Sequence, residues 1–166
     1  MSDFEVYGYD FIPGILSLED TANLHMRLQK EEFDKDPIEQ DPARGAVKMV
    51  YCPPCAKDIF NQMHYFLEIY LQTPLQPTYW FCTQYYHKSY MVAHKDREAC
   101  EISVSVNISQ DNPWDLCLRD KTGKIIRSQI NPGEGVLYSG TEVTHWRTPY
   151  KGQTYTQLFL HYVKKV

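Results

Sequence analysis

The sequence predicts a mainly β, α+β fold, with amino-terminal helices supporting an antiparallel sandwich or barrel. Three observations lead there. The first 75 or so residues carry two stretches with helical hydrophobic spacing. From Thr78 onward, short β-branched and aromatic runs are punctuated by Pro, Gly and Asn turns, the pattern of an antiparallel β architecture. The chain has 166 residues, 43% hydrophobic and 23% charged, which suits one domain with a substantial core. We therefore expect a single domain over 1–166, with helical support over about 15–75 and a β core over about 77–163.

Taken in order, Val6 to Ile12 reads as a short strand ended by the Pro13-Gly14 turn. Ser17 then fits a helix N-cap, with Glu19 and Asp20 in the first turn, where acids favour the helix dipole. That helix should run to about Phe33 on Leu18, Ala22, Leu24, Met26 and Leu28. Residues 34–47 are charged and hold two prolines, so they read as a solvated loop, with a lid over a site as the alternative. Val47 to Tyr51 reads as a strand. Cys52-Pro-Pro-Cys55 then opens a helix ending near Gln72, amphipathic through Ile59, Phe60, Met63, Phe66, Leu67 and Tyr70.

The β half begins with the run Tyr79 to Tyr86. Ile102, Val104, Val106 and Ile108 alternate and so share one face of a later strand. Trp114 to Leu118 follows the turn Asp111-Asn112-Pro113. Thr122-Gly123 marks a hairpin-like turn before Ile125 to Ile130. Asn131-Pro132-Gly133-Glu134-Gly135 is another turn, leading into Val136-Leu137-Tyr138. Tyr155 to Val163 alternates as a last strand. No internal repeat, low-complexity tract or linker stands out.

Composition excludes several classes. A formal net charge of −4 gives no basic surface for nucleic acid or an anionic membrane. No apolar run approaches the roughly 20 residues that span a bilayer. The start, Met1-Ser-Asp-Phe-Glu-Val, lacks a basic segment and an apolar signal core, so a cytoplasmic location is expected. Five cysteines, an odd number without framework spacing, argue against a disulfide scaffold. Cys52 and Cys55 read first as structural. A redox pair or half a zinc site is the alternative. Tyr is frequent, at 13 residues, and its clustering over 79–90 and 138–162 suggests aromatic core or pocket walls.

The chemistry centres on His94-x-Asp96. Two residues apart on an extended chain point the same way, so an imidazole nitrogen and a carboxylate oxygen would sit side by side. His145 lies far downstream, after the Pro132-Gly133 turn and a strand. In a jelly roll, strands distant in sequence lie adjacent, so His145 can return to the pair. Two His and one carboxylate on one face of a metal, with the other positions open, is the arrangement of non-haem Fe(II) oxygenases. His25, His64 and His87 have no partners at ligand spacing and read as non-ligands.

These residues resemble those of the 2-oxoglutarate- and Fe(II)-dependent oxygenases, specifically the small prolyl-4-hydroxylase-like group. The likeness covers roughly 77–163. It rests on Pro77-Thr78-Tyr79, on His94-x-Asp96-Arg97-x-x-Cys100-Glu101-x-Ser103, on His145-Trp146-Arg147-x-Pro149-Tyr150-x-Gly152, and on Gln157-x-Phe159-Leu160-His161-Tyr162-Val163. The resemblance implies a double-stranded β-helix of jelly-roll or cupin-like form, with the N-terminal helices packed against it. It implies Fe(II) held by His94, Asp96 and His145, with 2-oxoglutarate as cosubstrate, O2 as oxidant and hydroxylation as the outcome. Tyr85 holds the place of a Tyr that often contacts 2-oxoglutarate. The last-strand Arg or Lys for the cosubstrate's distal carboxylate is missing, because Thr154, Tyr155 and Thr156 stand there. Arg147 is the nearest substitute, with Lys151, Arg97 and Lys88 behind it. Gln157 and His161 would add neutral hydrogen bonds from the last strand. The substrate would be a peptide side chain or a small molecule, touched by the 34–47 loop and the turn near 87–90. A cupin-type metal protein without 2-oxoglutarate, and a non-catalytic binding module of the same fold, are the alternatives.

Overall fold

The computed structural model describes residues 1–35 and 37–166. Asp36, within the stretch read as a loop, lies outside the described residues. Helix α1 (Asp3–Tyr7) is closed by a Ser2–Glu5 capping box and ends at Gly8, whose φ of 81° suits glycine. Strand β1 (Tyr9–Ile12) follows, so the strand expected from Val6 starts three residues later. The cap on Ser2 explains the difference, because it stabilises a helical turn that periodicity over so few residues cannot show.

Helix α2 (Leu18–Glu31) starts where expected, with the Ser17 Oγ accepting from the Asp20 N–H at 3.0 Å. Its buried stripe is Thr21, Leu24 and Leu28. Leu18 and Met26, expected on that stripe, face solvent at 78% and 64% exposure. Residues 39–41 and 45–47, read as part of a loop, are strand, and the strand expected over Val47–Tyr51 is there. They form a hairpin of β2 (Glu39–Asp41) and β3 (Gly45–Tyr51), with 42–44 as its turn. Cross-strand pairing with the neighbouring sheet overrides a polar composition. Helix α3 (Lys57–Leu71) stops at Gln72 in the left-handed conformation and buries Phe60, Met63 and Leu67. No helix is long and apolar enough to cross a membrane.

The remaining strands are β4 (Leu75–Tyr86), β5 (Met91–His94), β6 (Ile102–Gln110), β7 (Leu116–Arg119), β8 (Ile125–Ser128), β9 (Gly135–Ser139), β10 (Thr144–Arg147) and β11 (Thr154–Lys164). They build two antiparallel sheets. The large one runs β1-β9-β6-β11-β4-β3-β2 and the small one β5-β10-β7-β8. β11 is central, hydrogen-bonded to β4 on one side and β6 on the other. Apart from β2–β3, β3–β4 and β7–β8, neighbours in the sheets are not consecutive in sequence, the long-range pairing of a jelly roll.

The large sheet has two unlike faces. Val104, Val106, Leu158, Leu160 and Tyr162 pack against α2 and α3, with Leu28, Phe60 and Leu67, as the main core. The opposite face looks toward the small sheet. There Met91, Leu116 and Leu118 meet Val136 and Tyr138. At the other end Val47, Tyr85 and Tyr155 meet Trp114 and Tyr150. Between these two apolar clusters lies a polar interior.

Candidate metal centre

His94 ends β5 and His145 lies on β10, directly opposite it in the register of the small sheet. Their rings sit 4.3 Å apart. Asp96 does not share a strand with His94, as the spacing suggests it would. The chain leaves β5 at His94, and Asp96 occupies the loop before a short 3-10 turn at 98–100. It is fixed instead by its own N–H, which donates to the Gly140 carbonyl at 2.7 Å. The outcome is still convergent. Asp96 Oδ1 lies 3.2 Å from His94 Nε2 and 3.3 Å from His145 Nε2.

The ring nitrogens define what this cluster can hold. His94 Nδ1 donates to the Val92 carbonyl at 2.7 Å, and His145 Nδ1 to the Val143 carbonyl at 2.9 Å. Each ring is thus locked with the Nε2 lone pair turned to Asp96. Two lone pairs and a carboxylate oxygen in such close contact repel unless a metal ion or protons sit among them. The groups show the same demand in their titration. Burial opposes ionisation of Asp96, yet hydrogen bonds from the two imidazoles, which require protons on Nε2 when no metal sits there, outweigh it and hold the carboxyl well below its usual range. The hydrogen bond to Asp96 raises the His94 pKa, against the effect of burial. An N2O donor set with one open side fits a divalent iron.

Gly140 is a residue that sequence reasoning missed. A Cβ there would collide with the Cys100 carbonyl and come within 2.6 Å of Asp96 Oδ2. Only its position in the turn before His145 hinted at this. Asp96, Cys100 and His161 form a second group of ligand types. Burial pushes the Cys100 thiol up, and its sulfur already meets the Tyr79 hydroxyl at 3.2 Å, so it makes a poor thiolate ligand. His161 is a different matter. The Ser103 hydroxyl donates to the Cys100 carbonyl, so it must accept from His161 Nδ1, 2.8 Å away. That leaves His161 Nε2 as a buried lone pair with no partner. Burial pushes its pKa down to about 4.

The triad lines a cavity of about 370 Å³ whose walls include Tyr51, Tyr79, Phe81, Met91, Phe159 and His161. Arg44, from the turn of the β2–β3 hairpin, also reaches it, whereas the turn at 87–90 does not. A larger groove of about 480 Å³ opens between β1 and α3, apart from the triad, and no His, Cys, Asp or Glu lines it.

Further along the inner face, the second group of sequence candidates comes together. Arg147 is 3% exposed. It donates to the Trp114 carbonyl at 3.0 Å and to Gln157 Oε1 at 3.2 Å. Its guanidinium lies 4.6 Å from the Trp114 ring and 5.0 Å from the Tyr155 ring. Among the described residues it forms no ion pair. Tyr85 and Tyr155 are wholly buried and their hydroxyls have no hydrogen-bond partner. Burial raises the Tyr85 pKa, against the pull of the Arg44 and Arg147 charges. A buried cation without a counter-charge, beside unpaired hydroxyls, costs several kcal/mol as it stands and fits an incoming carboxylate. Lys88 sits in an outer turn with φ 67°, and Lys151 lines a separate depression. Cys52 and Cys55 are free, and burial raises rather than lowers the Cys55 thiol pKa, against a redox role.

The fold is that of the 2-oxoglutarate- and Fe(II)-dependent oxygenases. A prolyl-4-hydroxylase from Pseudomonas putida superposes with a TM-score of 0.77 at 13% identity, covering 99% of this chain and 96% of that one. HygX from Streptomyces hygroscopicus, solved with nickel and 2-oxoglutarate bound, gives 0.74 at 10% identity, covering 96% and 84%. The α-ketoglutarate-dependent epimerase SnoN of nogalamycin biosynthesis gives 0.77 at 10%, covering 96% and 80%. No family model matches the sequence, and no curated protein matches it.

Proposed function

We propose that this chain is an Fe(II)- and 2-oxoglutarate-dependent dioxygenase that hydroxylates its substrate. The observation that carries the proposal is the pairing of two half-sites on one inner face. One is a set of three lone-pair donors that calls for a cation. The other is a buried, unpaired guanidinium that calls for an anion. A 2-oxo dicarboxylate bound to the metal at one end satisfies both. His94, Asp96 and His145 would hold Fe(II), and the bound metal and 2-oxo acid supply the activation of O2.

The chain's own residues do the rest. The Val92 and Val143 carbonyls keep both imidazoles in the tautomer that presents Nε2. The Gly140 carbonyl holds the Asp96 loop at the right height. Arg147, steadied by Gln157, takes the distal carboxylate, and the Tyr85 and Tyr155 hydroxyls can donate to it. Arg147 thereby replaces the basic residue missing from β11, since its guanidinium lies over Tyr155, one of the three positions in question. Phe81, Phe159 and Met91 line the cavity beside the triad and keep water from it. Five free cysteines suit a reducing cytoplasm.

Anaerobic Fe(II) titration, with and without 2-oxoglutarate, tests this. The weak visible charge-transfer band of a bidentate 2-oxo acid should appear and be lost in His145→Ala. Iron binding without a band would favour a cupin-type protein. Absence of iron binding would leave a binding module.

A further inference from the structure

The mouth of the metal cavity differs in chemistry from the rest of the molecule. The chain carries a formal net charge of −4. Yet the cavity wall holds Arg44, Lys95 and Arg97, and among the described residues its sole carboxylate is Asp96 of the triad. Lys95 and Arg97 form no ion pair among the described residues, and Arg44 has only Asp41, at 3.6 Å. Arg97 is also preset, because its guanidinium rests over the Tyr79 ring at 5.0 Å.

Behind this rim stands an aromatic wall. Tyr51 stacks on Phe81 with ring centres 5.4 Å apart and planes 28° from parallel. Phe81 stacks in turn on Phe159, at 4.6 Å and 17°. Tyr51 is 62% exposed although it belongs to a strand, so one face of the wall stays bare at the mouth. Such rings offer a platform for another flat ring. His161 Nε2, a buried acceptor with no partner, completes the set.

We infer that the substrate is a small, flat, anionic molecule. Its ring lies on the Tyr51–Phe81 wall, its negative group meets Lys95, Arg97 and Arg44, and a ring N–H or O–H donates to His161 Nε2. The inference rests on the oxygenase reading for the reaction, though not for the binding. A neutral peptide would leave Lys95 and Arg97 without a counter-charge. The cavity volume suits a single-ring or fused-ring compound and falls in the usual range for small-molecule sites.

The test is calorimetric titration of the full chain under argon, loaded with Fe(II) and 2-oxoglutarate. The probes are adenosine 5′-monophosphate, thymidine 5′-monophosphate and indole-3-acetate. Adenosine, thymidine and indole serve as uncharged counterparts, cyclohexanecarboxylate as a charged but non-aromatic one, and a prolyl peptide as the rival. At least one charged ring should bind about tenfold or more tightly than its uncharged counterpart and than cyclohexanecarboxylate. The Lys95→Glu/Arg97→Glu double variant should erase the charge preference, and Tyr51→Ala the ring preference. Both change exposed side chains, so the fold should persist. Binding that survives in His145→Ala, which cannot hold iron, would assign it to the wall and rim. Loss of binding together with the metal would overturn the inference. So would equal affinity for charged and uncharged rings, tighter binding of the prolyl peptide, or no saturable binding of any probe. Those results leave the iron and 2-oxoglutarate titration untouched, so the two readings fail separately.

Discussion

The two faces of the large sheet are made by the same strands and behave in opposite ways. On β11, Leu158, Leu160 and Tyr162 turn to the helices, while Tyr155, Gln157, Phe159 and His161 turn inward. On β6, Val104 and Val106 face the helices, while Ser103 and Ser105 face in, bonded to His161 and Gln157. The helix-facing side is apolar apart from the Tyr162 hydroxyl, which donates to the Phe60 carbonyl of α3 at 2.7 Å. The inner face looks onto a buried arginine from β10 of the small sheet, and on this side lie most of the buried polar atoms without partners among the described residues: the Tyr85 and Tyr155 hydroxyls, Thr83 Oγ1 and His161 Nε2 of the large sheet, and Asp96 Oδ2 from the loop after β5. A folded protein tolerates few such atoms. Their concentration on one face marks where ligands are meant to supply the missing partners, and stability is contributed from the other side.

Substitutions can break this division in either direction. The largest effect on folding should come from the helix-facing side. Leu160→Ala removes a wholly buried side chain and should cost about 2–5 kcal/mol, read as a lower urea midpoint, with ligand affinity little changed. Next is the pH response of the metal-free chain. Folded His161 stays neutral down to about pH 4, whereas the unfolded residue takes its proton near 6.5. Between these values the unfolded state binds more protons. Stability should therefore fall as pH falls through that window, by on the order of 3 kcal/mol, and His161→Gln should flatten the loss in urea melts.

Arg147→Met sharpens the contrast from the inner side. It should weaken 2-oxoglutarate binding by about 100-fold in calorimetry, while the thermal midpoint of the ligand-free protein holds or rises, because an unpaired buried charge is removed. Gly140→Ala should act through Asp96, lowering Fe(II) affinity by about tenfold or more. The smallest effect belongs to neither face. Glu142→Gln breaks the exposed Lys121–Glu142 pair, 2.9 Å long, and should change stability by less than about 1 kcal/mol.

Local physics is legible in the residues themselves. Ser17 announces the start of α2 through its capping hydroxyl, and the alternation of Ile102, Val104, Val106 and Ile108 names the packed face of β6. His94, Asp96 and His145 are recognisable as a ligand set because donor chemistry is carried by residue type and order. What escapes such a reading depends on partners far away in the chain. Residues 39–41 form a strand because β3 offers them a ladder, which their polar composition does not suggest. His94 and Asp96 are brought together through the Gly140 carbonyl and the pairing of β5 with β10, not through the period of one strand. Next to the last-strand positions that carry no basic residue, an arginine from β10 lies over the Tyr155 ring. Sequence determined the periodicities, the caps and the ligand types, since each is set within a few residues. Tertiary structure decided which buried charges lack a partner and which aromatic rings line the cavity of the triad, because both depend on strands brought together across the sheet.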